Sequence, residues 1–119
     1  MKKKELDRRK RHGRIRKKMQ GTAEKPRVYV YRSLNNLFMV GMDDTADKVL
    51  VSASTLDKEI KSKAPRGGNI QSAGYLGELS AKKIKEKGIT RIIFDRSGYL
   101  YHGRIKAFAE AMRKGGVEF

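Results

Sequence analysis

Three strand-length apolar segments, separated by short turns, constrain the fold of this chain more than any other feature of its sequence. They are RVYVYRS (27–33), LFMVGM (37–42) and KVLVSAS (48–54). The first alternates valine with tyrosine, the second is apolar on both faces, and the third is rich in β-branched residues, as strands are. Because the connections SLNN and DDTAD are short and rich in turn residues, the segments predict an antiparallel meander.

Two amphipathic segments and one more apolar run complete the predicted fold. We expect a helix from about Ser72 to Lys87, and a last helix that begins near His102 or Gly103. The run RIIF (91–94) between them predicts a fourth strand. A helix between the third and fourth strands forms a crossover, which lets the fourth strand lie parallel to the first. The expected fold class is mixed α/β (α+β), βββαβα, with a four-stranded mixed sheet in the order 3-2-1-4.

Some details of the first helical region are less regular. Residues 57–69 are predicted to form a polar connection, and Ile70 is assigned to the apolar side of the helix that follows. Gly74 and Gly77 each cost a helix about 1 kcal/mol relative to alanine. We expect this cost to be offset by a close approach of the helix to the sheet. Gly88 stands where a left-handed residue would end the helix.

The charge of the chain indicates a polyanionic partner. Among 119 residues, 29 are Lys or Arg and 13 are Asp or Glu, which gives a net charge of +16. The positive charges repel one another in a compact domain, so a polyanion such as nucleic acid is the expected partner. A generically basic soluble protein is the less favoured alternative. The absence of cysteine excludes disulfides and thiolate metal sites. No apolar run approaches the roughly 20 residues of a membrane span, and no signal peptide is visible.

The positive charge is concentrated at the beginning of the chain. Residues 1–20 contain eleven basic and two acidic residues, a net of +9, while residues 21–119 contain eighteen and eleven, a net of +7. We therefore divide the chain into a basic arm (1–20) and one globular α/β domain (21–119). The arm is expected to become ordered on a phosphate backbone. The alternative, a solvated tail without a partner, stays open at this point.

The segment DRSGYLYHGR (95–104) is the most unusual in the chain. It follows the fourth strand and leads into a helix N-terminus, where ligands often bind in α/β folds. Three interpretations compete: a catalytic centre, a packed structural loop, and a surface that recognises nucleic acid. In the structural interpretation, Leu100 and one of the two tyrosines are buried. In the recognition interpretation, an exposed Tyr99 or Tyr101 stacks on a base, and Arg96, His102 and Arg104 donate to phosphates or base edges.

The catalytic interpretation is the weakest of the three. The strand order resembles that of ribonuclease H-like nucleases, whose two-metal sites need several convergent carboxylates. Here the first strand carries no acid, Asp95 follows the fourth strand, and Asp43 and Asp44 lie in a turn. A pair of Asp95 with His102 is the only other acid–base candidate. Recognition of nucleic acid accounts for most of the unusual residues at once, so we prefer it.

Longer segments of the chain resemble a known family. GTAEKPRVYVYRS, LVSASTLDKE, FDRSGYLYHGRIKAFAEAMRKGG and the final VEF are similar to bacterial large-subunit ribosomal protein eighteen, of the universal uL-eighteen family. The resemblance runs from the basic arm to the last residue. It implies a ribonuclease H-like core of the kind found in components of the translation machinery. It also implies a structural protein of the cytoplasmic ribosome that is not an enzyme and needs no metal or other cofactor.

The resemblance further implies partners and contact residues. Members bind 5S rRNA and help attach it, with neighbouring 5S-binding proteins, to the large-subunit rRNA at the central protuberance. We expect a monomer before assembly, with no membrane or small-molecule ligand. The family's basic arm, first-strand turn and loop, together with further candidates at 27, 35, 66 and 96, give these expected RNA-binding residues: Arg8, Arg9, Arg11, Arg14, Arg16, Lys17, Lys18, Arg27, Arg32, Ser33, Asn35, Arg66, Arg96, Tyr99, His102, Gly103 and Arg104.

The chain departs from the family pattern at two places. Ser97 stands where many relatives have a second glycine, so a positive φ there would strain the backbone. Asn35 and Asn36 stand where a basic residue or histidine is common, which weakens one expected contact. Two other function classes stay open: a general basic nucleic-acid binder that uses the arm alone, and a divergent nuclease.

Overall fold

The structure, a computed structural model, describes residues 20–65 and 68–119. The strands are β1 Arg27–Arg32, β2 Leu37–Asp43, β3 Lys48–Ser54 and β4 Ile93–Asp95. The helices are α1 Lys58–Lys61, α2 Ile70–Glu86 and α3 Gly103–Lys114. None of the helices in the described ranges is long and apolar enough to span a bilayer.

The four strands form one mixed sheet in the predicted order. β2 pairs antiparallel with both β1 and β3, and β4 pairs parallel with β1, giving β3-β2-β1-β4. The fold class and the strand order predicted from the sequence are therefore confirmed. Because β4 runs parallel to β1, the loop after β4 emerges at the same edge of the sheet as the turn after β1.

The core lies between one face of the sheet and the helices. Val28 and Val30 of β1 point to this face and are fully buried, as are Ile84 of α2 and Phe108 of α3. The tyrosines that alternate with these valines lie on the opposite face, as the pattern of the first segment predicts. The two sides of β1 thus have different roles.

Close contact between α2 and α3 explains one of the two helix glycines. A methyl group at Gly77 would lie 2.5 Å from the carbonyl oxygen of Phe108 and 2.6 Å from Cβ of Ala111. The predicted close approach therefore exists, but its partner is α3 and not the sheet. A methyl group at Gly74 would meet no atom of the described residues within 4 Å, so their packing does not require that glycine.

The connection before α2 differs from the prediction. It contains the single-turn helix α1, which places Ile60 in the core. α2 begins two residues early because Asn69 caps it, with its side-chain oxygen accepting a hydrogen bond from the amide of Ser72 at 2.8 Å. Ile70, assigned to the apolar side, is 59% exposed. The end of α2 is as predicted, since Gly88 has φ of +77°.

The two glycines of α2 provide a matched test of this packing. Gly77→Ala is expected to lower the free energy of unfolding by about 1–3 kcal/mol, because the added methyl group overpacks the contact with α3. Gly74→Ala is expected to raise it by up to about 1 kcal/mol, because alanine is the better helix former and meets no obstacle. Urea unfolding measures both. Stabilisation by both substitutions would contradict the close contact.

Candidate nucleic-acid interface

A buried ion-pair cluster holds the base of the candidate site together. The side chain of Arg27, at the start of β1, donates from Nε to Asp44 at 3.0 Å and from Nη1 to Asp95 at 3.0 Å. Burial acts to lower the pKa of Arg27, but the hydrogen bonds and charges of Asp44 and Asp95 outweigh it and raise the pKa above its ordinary value. The cluster connects β1 to the turn after β2 and to the end of β4.

This cluster changes the roles expected for two residues. Arg27 is 5% exposed and its guanidinium is bound to two carboxylates. In this conformation it is therefore not accessible for the RNA contact expected from the sequence. The other oxygen of Asp95 accepts from the amide of Ser97 at 2.8 Å. Asp95 thus orients a loop and balances an arginine. Over the ranges 20–65 and 68–119, no cluster of three or more His, Cys, Asp or Glu side chains is arranged to hold a metal ion.

The loop after β4 contains two consecutive residues in the left-handed region. Ser97 has φ of +58° and Gly98 has φ of +78°. A positive φ at Ser97 agrees with the glycine expected there, and serine pays about 1–2 kcal/mol for this conformation. The amide of Ser97 is held by Asp95, and the amide of Tyr99 donates to the carbonyl oxygen of Arg96 at 3.0 Å. The loop is therefore a fixed tight turn.

Tyr99 is part of the support and not of the exposed surface. It is 8% exposed, and its hydroxyl oxygen accepts from the amide of Arg32 at 3.2 Å. The guanidinium carbon of Arg32 lies 4.7 Å from the centre of the Tyr99 ring, a cation–π distance. Base stacking on Tyr99, as one interpretation of the sequence proposed, is therefore ruled out in this conformation. What Tyr99 does is join the loop after β4 to the end of β1.

The next two residues of the loop face solvent. Leu100 is 71% exposed, which corrects the expectation that it is buried, whereas the expected burial of one tyrosine is confirmed at Tyr99. Tyr101 is 37% exposed, and its hydroxyl oxygen accepts from Arg113 at 3.4 Å. Tyr101 is the tyrosine of this loop that has a ring accessible to a base. The loop projects these side chains because Asp95 and Tyr99 hold its base.

Arg104 has an unsatisfied donor beside a second cation. Burial lowers the pKa of Arg104, and the positive charge of Arg32 lowers it further, with Tyr99 acting in the opposite direction. The group still carries its charge at neutral pH. Its Nη1 is buried and has no hydrogen-bond partner within the part of the chain that the structure describes. An anion beside Arg104 would relieve the repulsion between the two cations and could accept a hydrogen bond from this donor.

The first turn of α3 lies beside these cations. Its N-cap, His102, is exposed and extended, and makes no side-chain capping bond. Gly103, with φ of +56°, follows it. The first amides of a helix lack partners inside the helix and carry its positive dipole end. His102 and Gly103 therefore lie where the sequence placed them, at a helix start next to Arg104.

The turn after β1 lies at the same end of the sheet as the loop after β4. Ser33 and Asn36 close it, the amide of Ser33 donating to the carbonyl oxygen of Asn36 at 2.9 Å. The side-chain oxygen of Asn36 accepts from the hydroxyl of the buried Thr55 at 3.0 Å, so the turn is fixed to the end of β3. The side chains of Ser33 and Asn35 are exposed next to Arg32.

The sequence-predicted residues thus divide into three groups. Arg32, Tyr99 and Arg104 are brought together, with the backbone neighbours Ser33, His102 and Gly103; Asn35 and Arg96 are exposed on the adjoining turn and loop. Arg27 lies in the buried cluster. The remaining candidates lie outside the described residues: Arg8, Arg9, Arg11, Arg14, Arg16, Lys17, Lys18 and Arg66. Sequence reasoning missed the link between Arg27 and Asp44, for which the spacing gives no signal.

The chain matches known proteins over almost its whole length. The family model for ribosomal L18 of archaea, bacteria, mitochondria and chloroplasts matches residues 2–119. A relative from Pelotomaculum thermopropionicum named large ribosomal subunit protein uL18 is 57% identical over 110 residues, covering 92% of this chain and 90% of its own. The protein of the same name from Clostridioides difficile is 49% identical over 116 residues, covering 98% and 95%.

The chain belongs to the ribosomal L18 family. It is accordingly a protein of the large ribosomal subunit and not an enzyme. In this structure the carboxylates near the loop, Asp44 and Asp95, are bound to Arg27 and support the loop. It also excludes the divergent nuclease that the strand order left open.

The buried cluster can be compared with an exposed ion pair in the same chain. Asp95→Asn is expected to lower the free energy of unfolding by at least about 2 kcal/mol, because it leaves a buried guanidinium short of one counter-charge. Glu118→Gln breaks the pair of Arg91 and Glu118, whose side chains are each 70% exposed. That change is expected to lower the free energy of unfolding by about 0.5 kcal/mol or less. Urea unfolding distinguishes the two; similar small effects would show that the cluster is not needed.

Proposed function

We propose that the chain binds 5S rRNA and helps to attach it to the large-subunit rRNA at the central protuberance. In this proposal it binds as a monomer, alongside neighbouring 5S-binding ribosomal proteins. Membership of the L18 family supports a role with ribosomal RNA. The net charge of +16 supports binding to a polyanion.

The observation that carries the proposal is the pairing of Arg32 with Arg104 around Tyr99. In the free protein the charge of Arg32 disfavours the charged form of Arg104, and the buried Nη1 of Arg104 has no hydrogen-bond partner among the described residues. A phosphate between them would remove the repulsion and accept the free hydrogen bond. Exposed groups around the pair, Tyr101 and His102, would then contact a ribose or an unpaired base.

A fixed protein surface of this kind suits RNA recognition by shape. A-form RNA hides its base edges in a deep major groove, so proteins recognise its minor groove, loops and bulges. The loop after β4 is held by two hydrogen bonds, one that Asp95 accepts from the amide of Ser97 and one that the hydroxyl oxygen of Tyr99 accepts from the amide of Arg32. It can therefore place Arg104 and Arg32 against a particular arrangement of phosphates with a smaller loss of conformational entropy on binding. The basic arm would add affinity that depends little on sequence.

The test of the proposal is binding of the purified chain to 5S rRNA, with tRNA as competitor, across a salt titration. We expect 1:1 binding that persists against competitor at physiological salt. A general basic nucleic-acid binder, the second candidate, is favoured by the concentration of charge in residues 1–20. It would bind 5S rRNA and tRNA equally, and that outcome would overturn the proposal.

Substitution of Arg104 tests the pair of cations. Arg104→Ala is expected to weaken 5S rRNA binding roughly 10- to 100-fold, the loss of one or two charge-assisted hydrogen bonds, and to reduce discrimination against tRNA. Arg104→Lys keeps the charge but loses the fork, so an intermediate loss is expected. The control is Arg91→Ala, which removes an exposed arginine at the opposite end of β4. Equal losses from Arg104→Ala and Arg91→Ala would refute a specific contact.

The arm is tested separately by its salt dependence. Replacing four arm arginines (8, 9, 11 and 14) with glutamine should reduce the slope of log K against log salt by about 3, if each contacts a phosphate. Preference for 5S rRNA over tRNA should survive, because the loop and the end of β1 are unchanged. The measurement is a binding titration at several salt concentrations. An unchanged slope would show that the arm is not the electrostatic anchor.

A further inference from the structure

Large apolar side chains that are exposed in the described residues gather at one end of the sheet. They are Tyr31, Leu34, Val49, Leu56, Ile70, Leu100 and Tyr101. Val49 lies near the start of β3, at the far end of the sheet. The other six lie at or near the end where β1 and β4 terminate, in the last turn of a strand, in a connecting loop or at the start of α2. Exposed apolar side chains concentrated in one region of a protein indicate a binding surface.

Tyr31 is held in a stacked aromatic pair at this end of the sheet. It lies across from Phe38 of β2, on the face opposite the core. The two ring centroids are 4.7 Å apart and the ring planes differ by 9°. β4 ends at Asp95, the residue beside Tyr29, so no strand lies beside Tyr31 on the side away from Phe38. Tyr31 is accordingly 46% exposed, with one side of its ring against Phe38.

The other tyrosine of β1 has a different role. The guanidinium carbon of Arg27 lies 4.7 Å from the centre of the Tyr29 ring, and this guanidinium is also bound to Asp44 and Asp95. Tyr29 therefore packs against the ion-pair cluster that supports the site. Of the two tyrosines in β1, Tyr31 is the one whose ring another molecule can reach.

The charges at this end of the sheet favour RNA as that molecule. Arg32 and Arg96 are exposed there, next to Arg104, whereas the carboxylate of Asp95 is already bound to Arg27. Arg32 directly follows Tyr31, and successive side chains of a strand point to opposite faces. An RNA strand whose phosphate is held by Arg32 can therefore bring a base to the ring of Tyr31. Stacking on the ring requires no charged group and accepts any base, because every base has a π-face.

We propose that Tyr31, supported by Phe38, is a stacking platform for an unpaired base of the bound 5S rRNA. This inference rests on the proposed function, because it requires the RNA to be held at Arg32 and Arg104. Bases in loops and bulges are unstacked and accessible to aromatic side chains, whereas bases within an A-form helix are not. Phe38 fixes the orientation of the Tyr31 ring before RNA arrives, which reduces the entropy lost on binding.

The absence of tryptophan allows a direct test in the full-length chain. Tyr31→Trp places a single indole on the platform. Val49→Trp is the matched control, because Val49 is exposed to a similar extent, 52%, at the other end of the sheet. Stacking of a base on indole quenches its fluorescence. We expect 5S rRNA to remove most of the emission of Tyr31→Trp and little of that of Val49→Trp.

Affinity for 5S rRNA gives a second, independent measurement. Tyr31→Leu is expected to weaken binding roughly 5- to 100-fold, which corresponds to the loss of one base stacked on an aromatic ring. Tyr31→Phe keeps the ring and is expected to bind like the wild type. Phe38→Leu is expected to have a smaller effect than Tyr31→Leu, because it removes the support and not the platform. Urea unfolding of each variant checks that the fold is retained.

The opposing outcomes are distinct. Unquenched emission from Tyr31→Trp in a tight complex with 5S rRNA, or equal quenching of Tyr31→Trp and Val49→Trp, would overturn the stacking platform. Wild-type affinity of a folded Tyr31→Leu would do the same. Emission of Tyr31→Trp that changes with protein concentration in the absence of RNA would assign the ring to a second copy, and would also overturn the proposal. Failure of the wild-type chain to prefer 5S rRNA over tRNA would instead overturn the proposed function, and this inference with it.

Discussion

The ion-pair cluster of Arg27 with Asp44 and Asp95 is the interaction on which the candidate site depends. It joins three segments that are distant in sequence: the start of β1, the turn after β2 and the end of β4. A buried charge is costly unless it is fully paired, so the three groups have to lie together or not be buried at all. The same carboxylate that completes the cluster, Asp95, also holds the amide of Ser97. The position of the loop thus follows from the charge balance beneath it.

The two faces of β1 show how one strand serves two purposes. Val28 and Val30 enter the core, while Tyr29 and Tyr31 lie on the opposite face of the sheet. At its end, the side chain of Arg32 reaches the ring of Tyr99. A single six-residue strand therefore fixes three regions relative to one another: the core, the face of the sheet that carries Tyr29 and Tyr31, and the site around Arg32. A disturbance of its register would move all three, because a shift by one residue reverses the faces.

The fixed cations Arg32 and Arg104 and the basic arm would contribute to RNA binding in different ways. A pair of arginines held by packing, such as Arg32 and Arg104, distinguishes one arrangement of phosphates from another. A segment rich in lysine and arginine gains affinity from counterion release, whatever the arrangement. In the function proposed above, combining the two would separate the strength of binding to RNA from its selectivity. The strained backbone of Ser97 and the unsatisfied donor of Arg104 both belong to the fixed part of the candidate site, to which the proposal assigns selectivity.

The sequence by itself determined the strands, their order and both long helices. The reason is that alternation and helical spacing are local patterns, and each places apolar side chains on the face that the core buries. It also indicated the loop 95–104, since the residue types there are few and unusual, and the family resemblance marked Ser97 as the residue that a positive φ would strain. Only the tertiary structure decided the use of individual side chains. Arg27 and Arg104 are equally basic in the sequence, yet one is neutralised by two carboxylates and the other is left with a free donor. That difference depends on which segments the sheet brings together, and a one-dimensional pattern does not record distances between them.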